Sequence, residues 1–180
     1  HSGTRVDLVE IDEKVIQASK KYLPQMGSAL DDPRATVMVG DGIRYVAECE
    51  KQYDVIIIDS SDPIGPAVGL FGEEFYRNTH RILKADGILV AQTESPFFNK
   101  NLLAEVNQVL KGIYPLVRVF LTCIPCYIAG FWTFTIASKR YDPLGEFRRD
   151  GAGSDNLYYT PEVHRAAFVL PPFIKSILNE

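Results

Sequence analysis

Apolar residues follow two rhythms along this chain, and the change from one to the other marks out its elements. Short β-branched runs at residues 5–10, Ala35–Val39, Tyr53–Ile58 and residues 88–92 have strand length and strand composition. Between them, apolar positions recur every three or four residues, the spacing that gives a helix one buried face. Val15, Ile16, Tyr22 and Leu23, with small Ser19 among them, follow Asp12, a helix-capping residue, and stop at Pro24. Residues 42–50 predict a short helix. Phe71, Phe75, Thr79, Ile82 and Leu83 mark another, ending near Asp86-Gly87. Leu102, Val106, Val109, Leu110 and Ile113 mark the longest, closed by Gly112 and Pro115. Residues 117–122 and Phe131–Ser138 predict two final strands, joined by a short loop containing Pro125 and Gly130.

Strands separated by helices imply parallel pairing through right-handed crossovers, whereas the last two strands are joined too closely for a crossover and predict an antiparallel hairpin. The expected fold is α/β: a doubly wound, mostly parallel sheet with an antiparallel hairpin at its carboxyl-terminal end. The run Val55-Ile56-Ile57-Ile58 does not alternate, which reads as a central strand buried on both faces.

At 180 residues and 46% hydrophobic, the chain has enough apolar surface for one core, so a single domain, residues 1–180, is expected. The polar, glycine-rich stretch 140–156 reads as a surface loop. Residues 157–180 read as a segment docked back on the body through Tyr158, Tyr159, Val163, Phe168 and Phe173, because so many exposed aromatics would form a sticky patch. Basic and acidic residues number 19 and 23, without a basic block, so no nucleic-acid partner is expected. No apolar stretch has membrane-spanning length and no signal-peptide plan opens the chain, so no membrane partner is expected either. Three cysteines leave at least one unpaired, which fits a reducing cytoplasm better than a disulfide framework. The chain opens at His1 and enters a strand almost at once, which reads as a piece of a longer protein.

Acids gather at the ends of the expected strands. Glu10 ends the first, Asp41-Gly42 follows the second, Asp59 and Asp62 follow the third, and Gln92 with Glu94 follows the fourth. Open α/β sheets bind ligands at the carboxyl ends of their strands, so these groups are expected to converge on one crevice. Glu10 admits two readings: a carboxylate gripping a ribose diol, or a solvated strand end. Asp41-Gly42 likewise suits either an adenine, with the amine accepted by Asp41 and the ring close to Gly42, or a plain turn. Asp12 reads as a cap. Asp59 stands apart, since it directly follows four aliphatics, carries a second acid three residues on, and lies in a loop stiffened by Pro63 and Pro66. That pair is placed to hold a cation.

Cys123-Ile124-Pro125-Cys126 has the spacing of a redox or zinc pair, but no second cysteine pair accompanies it and no helix start follows to activate a thiol. No metal site is expected. Tyr127, next in line, suits either a phenol closing over a ligand or a packed aromatic.

The strings VEIDEKVI (from Val9), DDPRATVMVGDG (from Asp31), YDVIIIDSSDPIGPA (from Tyr53), AQTESPFF (from Ala91) and GFWTFTIASKRYDP (from Gly130) resemble the bacterial spermidine synthases, of the polyamine aminopropyltransferase family. The resemblance runs from about Arg5 to the carboxyl terminus. It implies a Rossmann-like, methyltransferase-type fold that transfers not methyl but aminopropyl, from decarboxylated S-adenosylmethionine to putrescine, giving spermidine and methylthioadenosine. Decarboxylated S-adenosylmethionine would be a co-substrate, and neither cofactor nor metal is implied. By position, Glu10 would bind the ribose, Asp41 and Gly42 the adenine, and Pro66 would border the adenosine pocket. Asp59 would accept the proton, Asp62 would hold the diamine, and Tyr127 would orient it with Gln92 near the amine. The family implies a homodimer or homotetramer.

Departures from the family pattern accompany the resemblance. Cys126, Ile128 and Ala129 stand where the family has threonine, proline and serine around its substrate tyrosine. The family's first strand, glycine-rich loop and small amino-terminal β-domain would lie upstream of His1, so the chain alone is expected to be weakened or inactive. Two rival readings follow: an S-adenosylmethionine-dependent methyltransferase, which has no use for two diamine-binding acids, and a non-catalytic fragment or subunit.

Overall fold

The structure, a computed structural model, describes residues 3–145 and 156–180. Most of the expected surface loop 140–156 therefore lies outside the described residues. The chain forms two compact units, His1–Cys49 and Glu50–Glu180.

In the first unit, β1 (Val6–Glu10) and β2 (Ala35–Val39) pair in parallel, with Glu10 opposite Val39. They are linked by α1 (Glu13–Tyr22), the one-turn α2 (Pro24–Gly27) and a 3-10 turn at Ser28–Asp31. Asp12 caps α1 as expected, its carboxylate accepting from the Lys14 amide at 2.8 Å. Glu13 in the first turn and Lys20 and Lys21 in the last complement the helix dipole. Gly27 is required by close approach: a Cβ there would lie 2.4 Å from the Ser19 carbonyl oxygen. After β2 the chain enters α3 (Gly42–Glu48), which ends two residues before the expected bound. Ile16, Val46 and Cys49 are buried in this unit.

In the second unit, four strands lie in the order β3 (Tyr53–Ile58), β4 (Leu83–Gln92), β6 (Phe131–Ser138), β5 (Leu116–Cys123). β3 and β4 are parallel; β6 runs antiparallel to both β4 and β5. The carboxyl-terminal strands therefore form the expected antiparallel hairpin, and its second strand, not its first, joins the parallel pair. Behind the sheet, α4 (Glu73–Ile82) buries Phe75, Tyr76, Thr79 and Ile82, and α5 (Lys100–Ile113) buries Leu103, Val106 and Leu110. The carboxyl-terminal helices α6 (Pro161–Ala167) and α7 (Pro172–Ile177) follow.

The carboxyl-terminal segment is anchored by aliphatics more than by aromatics. Leu170, Ile174 and Leu178 join Leu103 and Val119 in one buried cluster, while Tyr158 is 66% exposed. Phe168 and Phe173 pack at the margin of that cluster, against Phe120 and Phe97 respectively.

Two expectations are corrected. The helix expected to reach Asp86-Gly87 stops at Ile82, and β4 begins at once with Leu83. Tyr53 faces Leu83 while Val55 faces Ile88, so three extra residues bulge from β4; Gly87 folds onto Leu83, whose Cδ2 would lie 2.9 Å from a Cβ at position 87. Leu83 continues the apolar spacing of α4 but is itself a strand residue turned toward the core. The second correction concerns β3: Val55 and Ile57 are 51% and 74% exposed, so that strand is not buried on both faces. Among the described residues it pairs with β4 alone.

Candidate active site

Parallel pairing brings strand ends to a common edge. In the second unit Ile58 faces Ala91, so Asp59 and Gln92 leave β3 and β4 side by side. The loop after Asp59 turns back through a bond from the Ile64 amide to the Asp62 carbonyl at 2.6 Å. It reverses at Gly65, whose φ of +58° only glycine adopts without strain, and enters a 3-10 helix, Gly65–Phe71. The other wall rises from the β5–β6 turn. The Ile124 amide donates to Gly130 at 2.8 Å, the Tyr127 amide to Ile124 at 3.1 Å and the Gly130 amide to Tyr127 at 3.0 Å, so Tyr127 is held by two successive turns.

These walls enclose a cleft of about 570 Å³ lined by Asp59, Ser60, Ser61, Asp62, Ile64, Gln92, Ile124, Tyr127, Trp132 and Phe134. Four residues expected at the site, Asp59, Asp62, Gln92 and Tyr127, are thus brought together. The Asp59 and Asp62 side chains are exposed to the cleft and have neither a hydrogen bond nor an ion pair with any described residue. Opposite-charge partners satisfy other acids of the chain, Asp142 with Arg118 and Asp54 with Lys84 among them. Two uncommitted carboxylates beside an aromatic wall can attract an organic cation, through Coulomb attraction and through ring faces. That wall is Tyr127 stacked on Trp132, with ring centres 4.3 Å apart.

Gln92 differs from the acids beside it. Its Nε2 donates to the Ser60 carbonyl at 3.0 Å and to Glu94 at 2.7 Å, while its Oε1 accepts from the Trp132 indole at 2.8 Å and the Glu94 amide at 2.9 Å. An amide has four hydrogen-bonding positions, and all four are used within the protein.

Pro66 is the second residue of the 3-10 helix beyond the loop, exposed and outside the cleft lining. Glu10, Asp41 and Gly42 belong to the first unit, where parallel pairing sets Glu10 and the end of β2 at one edge; the Gly40 amide donates to the Glu10 carbonyl at 2.9 Å. The Glu10 carboxylate accepts from the Asp12 amide at 2.9 Å. Asp41 caps α3, accepting from Ile43 at 2.8 Å. A Cβ at Gly42 would meet nothing within 4 Å, so no packing in the fold demands glycine there.

Trp132, Phe134 and Ile124 were not expected among the site residues. Strand alternation carried a signal for two of them: in β6, Thr133, Thr135 and Ala137 are buried, which turns Trp132 and Phe134 to the opposite face, toward the cleft. All three cysteines are free, and Cys123 and Cys126 are exposed on the turn that carries Tyr127. Among the described residues, no group of three His, Cys, Asp or Glu side chains is arranged to hold a metal ion, and no helix is long and apolar enough to cross a membrane.

Helix-linked parallel strands with acids at their carboxyl ends define an α/β protein of the Rossmann-like class. Comparison with known proteins narrows it. Residues 1–146 match the model of the spermine/spermidine synthase domain. A protein of Thermoanaerobacter sp. (strain X514) named polyamine aminopropyltransferase is 52% identical over 179 residues, covering 99% of this chain and 65% of the relative. A Bacillus subtilis (strain 168) protein of the same name is 47% identical over 178 residues, covering 99% of this chain and 64% of the relative. Among solved structures, a spermidine synthase in complex with the transition-state analogue AdoDATO superposes with a TM-score of 0.92 at 38% identity, over 97% of this chain and 61% of that one. Spermidine synthase from Thermotoga maritima gives 0.90, also at 38% identity, over 97% and 60%. This chain belongs to the spermine/spermidine synthase domain family and has its Rossmann-like, methyltransferase-type α/β fold. It spans about two-thirds of the length of these relatives.

Proposed function

We propose that this chain carries the catalytic centre of a polyamine aminopropyltransferase, moving an aminopropyl group from decarboxylated S-adenosylmethionine to putrescine and releasing spermidine and methylthioadenosine. The observation that carries the reading is the pair of uncommitted carboxylates, Asp59 and Asp62, facing the stacked rings of Tyr127 and Trp132 across one cleft. The names of its relatives support it.

Putrescine is a dication at neutral pH, since a primary alkylamine has a pKa of about 10.4. Asp62 and Tyr127 hold the charged chain, and Asp59 faces the end that reacts. That nitrogen must shed a proton to attack. As its lone pair forms the new C–N bond, the C–S bond of the sulfonium breaks, its electron pair neutralises sulfur, and the nitrogen's proton passes to Asp59. The sulfonium is already a good leaving group, so alignment of nitrogen, carbon and sulfur supplies much of the acceleration. The nucleoside is assigned to Glu10 on the ribose, Asp41 and Gly42 on the adenine, and Pro66 at the border. The open space at Gly42 and the strand-edge placement of Glu10 support that assignment. The reaction as drawn calls on neither cofactor nor metal, and the reading extends to a reducing cytoplasm and to a homodimer or homotetramer.

The test is product analysis by mass spectrometry after incubation of the protein with putrescine and, separately, decarboxylated S-adenosylmethionine or S-adenosylmethionine. Spermidine with methylthioadenosine is expected from the first mixture. A methylated amine from the second, with no spermidine from the first, defeats the reading.

A further inference from the structure

Behind the cleft lies a carboxylate that the chemistry above does not use. Glu94 is 1% exposed and has a φ of +69°, a left-handed backbone that non-glycine residues adopt only when their surroundings enforce it. The enforcement is visible: the Glu94 carbonyl accepts from the Thr133 amide at 2.9 Å and from the Thr133 hydroxyl at 2.7 Å. Thr133, Thr93 and Thr135, all fully buried, form a hydroxyl cluster that ties the end of β4 to β6. The strained backbone turns the Glu94 side chain back along its own strand. There Oε1 accepts from Gln92 at 2.7 Å and Oε2 from Asn99 at 2.9 Å. No cation among the described residues pairs with it.

Resting on the proposed aminopropyl transfer, we infer that Glu94 is a positioning residue for the diamine cleft, acting through Gln92 on both of its walls. The reasoning turns on which atoms can only donate and which can only accept. The Trp132 indole and the Glu94 amide only donate, so they face Gln92 Oε1; the Ser60 carbonyl and the Glu94 carboxylate only accept, so they face Nε2. Glu94 thereby holds Gln92 in one orientation. On one side that orientation anchors Ser60, the residue next to Asp59. On the other it anchors Trp132 and hence Tyr127, stacked on it. In this arrangement Gln92 is a strut of the cleft and not a ligand of the amine.

The variant Glu94→Gln is nearly isosteric but carries one acceptor atom where two donors converge. Either Gln92 or Asn99 must then turn. The KM for putrescine is expected to rise at least fivefold, with the KM for decarboxylated S-adenosylmethionine within twofold. General loss of folded protein would lower the rate and leave both KM values alone, so the split separates positioning from mere stability. An unchanged putrescine KM overturns the inference. A second readout needs no turnover and no substitution: the indole N–H of Trp132, the only tryptophan in the chain, should exchange with solvent at least a hundredfold more slowly than free indole. Exchange at the free rate overturns the inference even if Glu94→Gln fails to fold. Absence of spermidine from the unsubstituted protein would defeat the proposed function alone, because the indole exchange would still decide whether Gln92 is held as described.

Discussion

Single residues set the geometry of the cleft, and Gly65 is the clearest case. Its positive φ lets the loop reverse after Asp62, and a Cβ there would meet no neighbour, so any cost of a side chain lies in the backbone alone. Gly65→Ala is expected to destabilise the protein by about 1–2 kcal/mol, read from urea unfolding, and to weaken putrescine binding because the loop that holds Asp62 must shift. Unchanged stability would mean that the loop tolerates another path. Much at this scale was legible in advance. Asp59 and Asp62 follow an unbroken aliphatic run, and their loop is punctuated by two prolines and a glycine, so their place at a strand end could be read directly. Gln92 lines the cleft as well, but its saturation by Ser60, Glu94 and Trp132 depends on three separate segments meeting, which no local pattern records. The same holds for the strained backbone of Glu94, whose cause is a threonine on another strand.

The elements were read mostly from periodicity, and the errors occur where packing overrides it. Leu83 continues the helical spacing of α4 yet begins β4, because the bulge around Gly87 lets it turn into the core as a strand residue. β3 has the composition of a central strand and an exposed face, since composition reports what a strand prefers and not which neighbours it meets. The packing of α7 is testable: Ile174 is fully buried against Leu103 and Val119, so Ile174→Ala should cost roughly 2–5 kcal/mol in urea unfolding. A loss below 1 kcal/mol would show that α7 is not part of the core. A second test concerns α4 and the end of α5. Burial pushes the Tyr114 phenol up to about 12 and also raises that of Tyr76. Unfolded tyrosine ionises near pH 10, so between about pH 10 and 12 the unfolded state releases protons that the folded state retains. Their contribution to stability is therefore complete below pH 10 and declines as pH rises through that window. Thermal melting followed across it should show the decline, and Tyr114→Phe should lessen it; an identical profile in the variant would assign the decline to other groups.

For the whole molecule, the proposed aminopropyl transfer assigns nucleoside contacts to Glu10 and Asp41 and amine contacts to Asp59, Asp62 and Tyr127. Glu10→Ala should weaken methylthioadenosine binding at least tenfold in calorimetry, the loss expected when charge-assisted hydrogen bonds worth about 1.5–3 kcal/mol disappear, and leave putrescine binding within about twofold. Equal losses for both ligands would contradict that division. The central claim is that two uncommitted carboxylates in one loop perform different tasks, one taking the proton and the other holding the charge. Steady-state kinetics of Asp59→Asn and Asp62→Asn with putrescine test it most directly. The account predicts a fall in kcat of about 10²–10⁴-fold for Asp59→Asn with the KM of the nucleoside substrate little changed, and a rise in putrescine KM of at least tenfold for Asp62→Asn. Turnover by Asp59→Asn at the unsubstituted rate would contradict it.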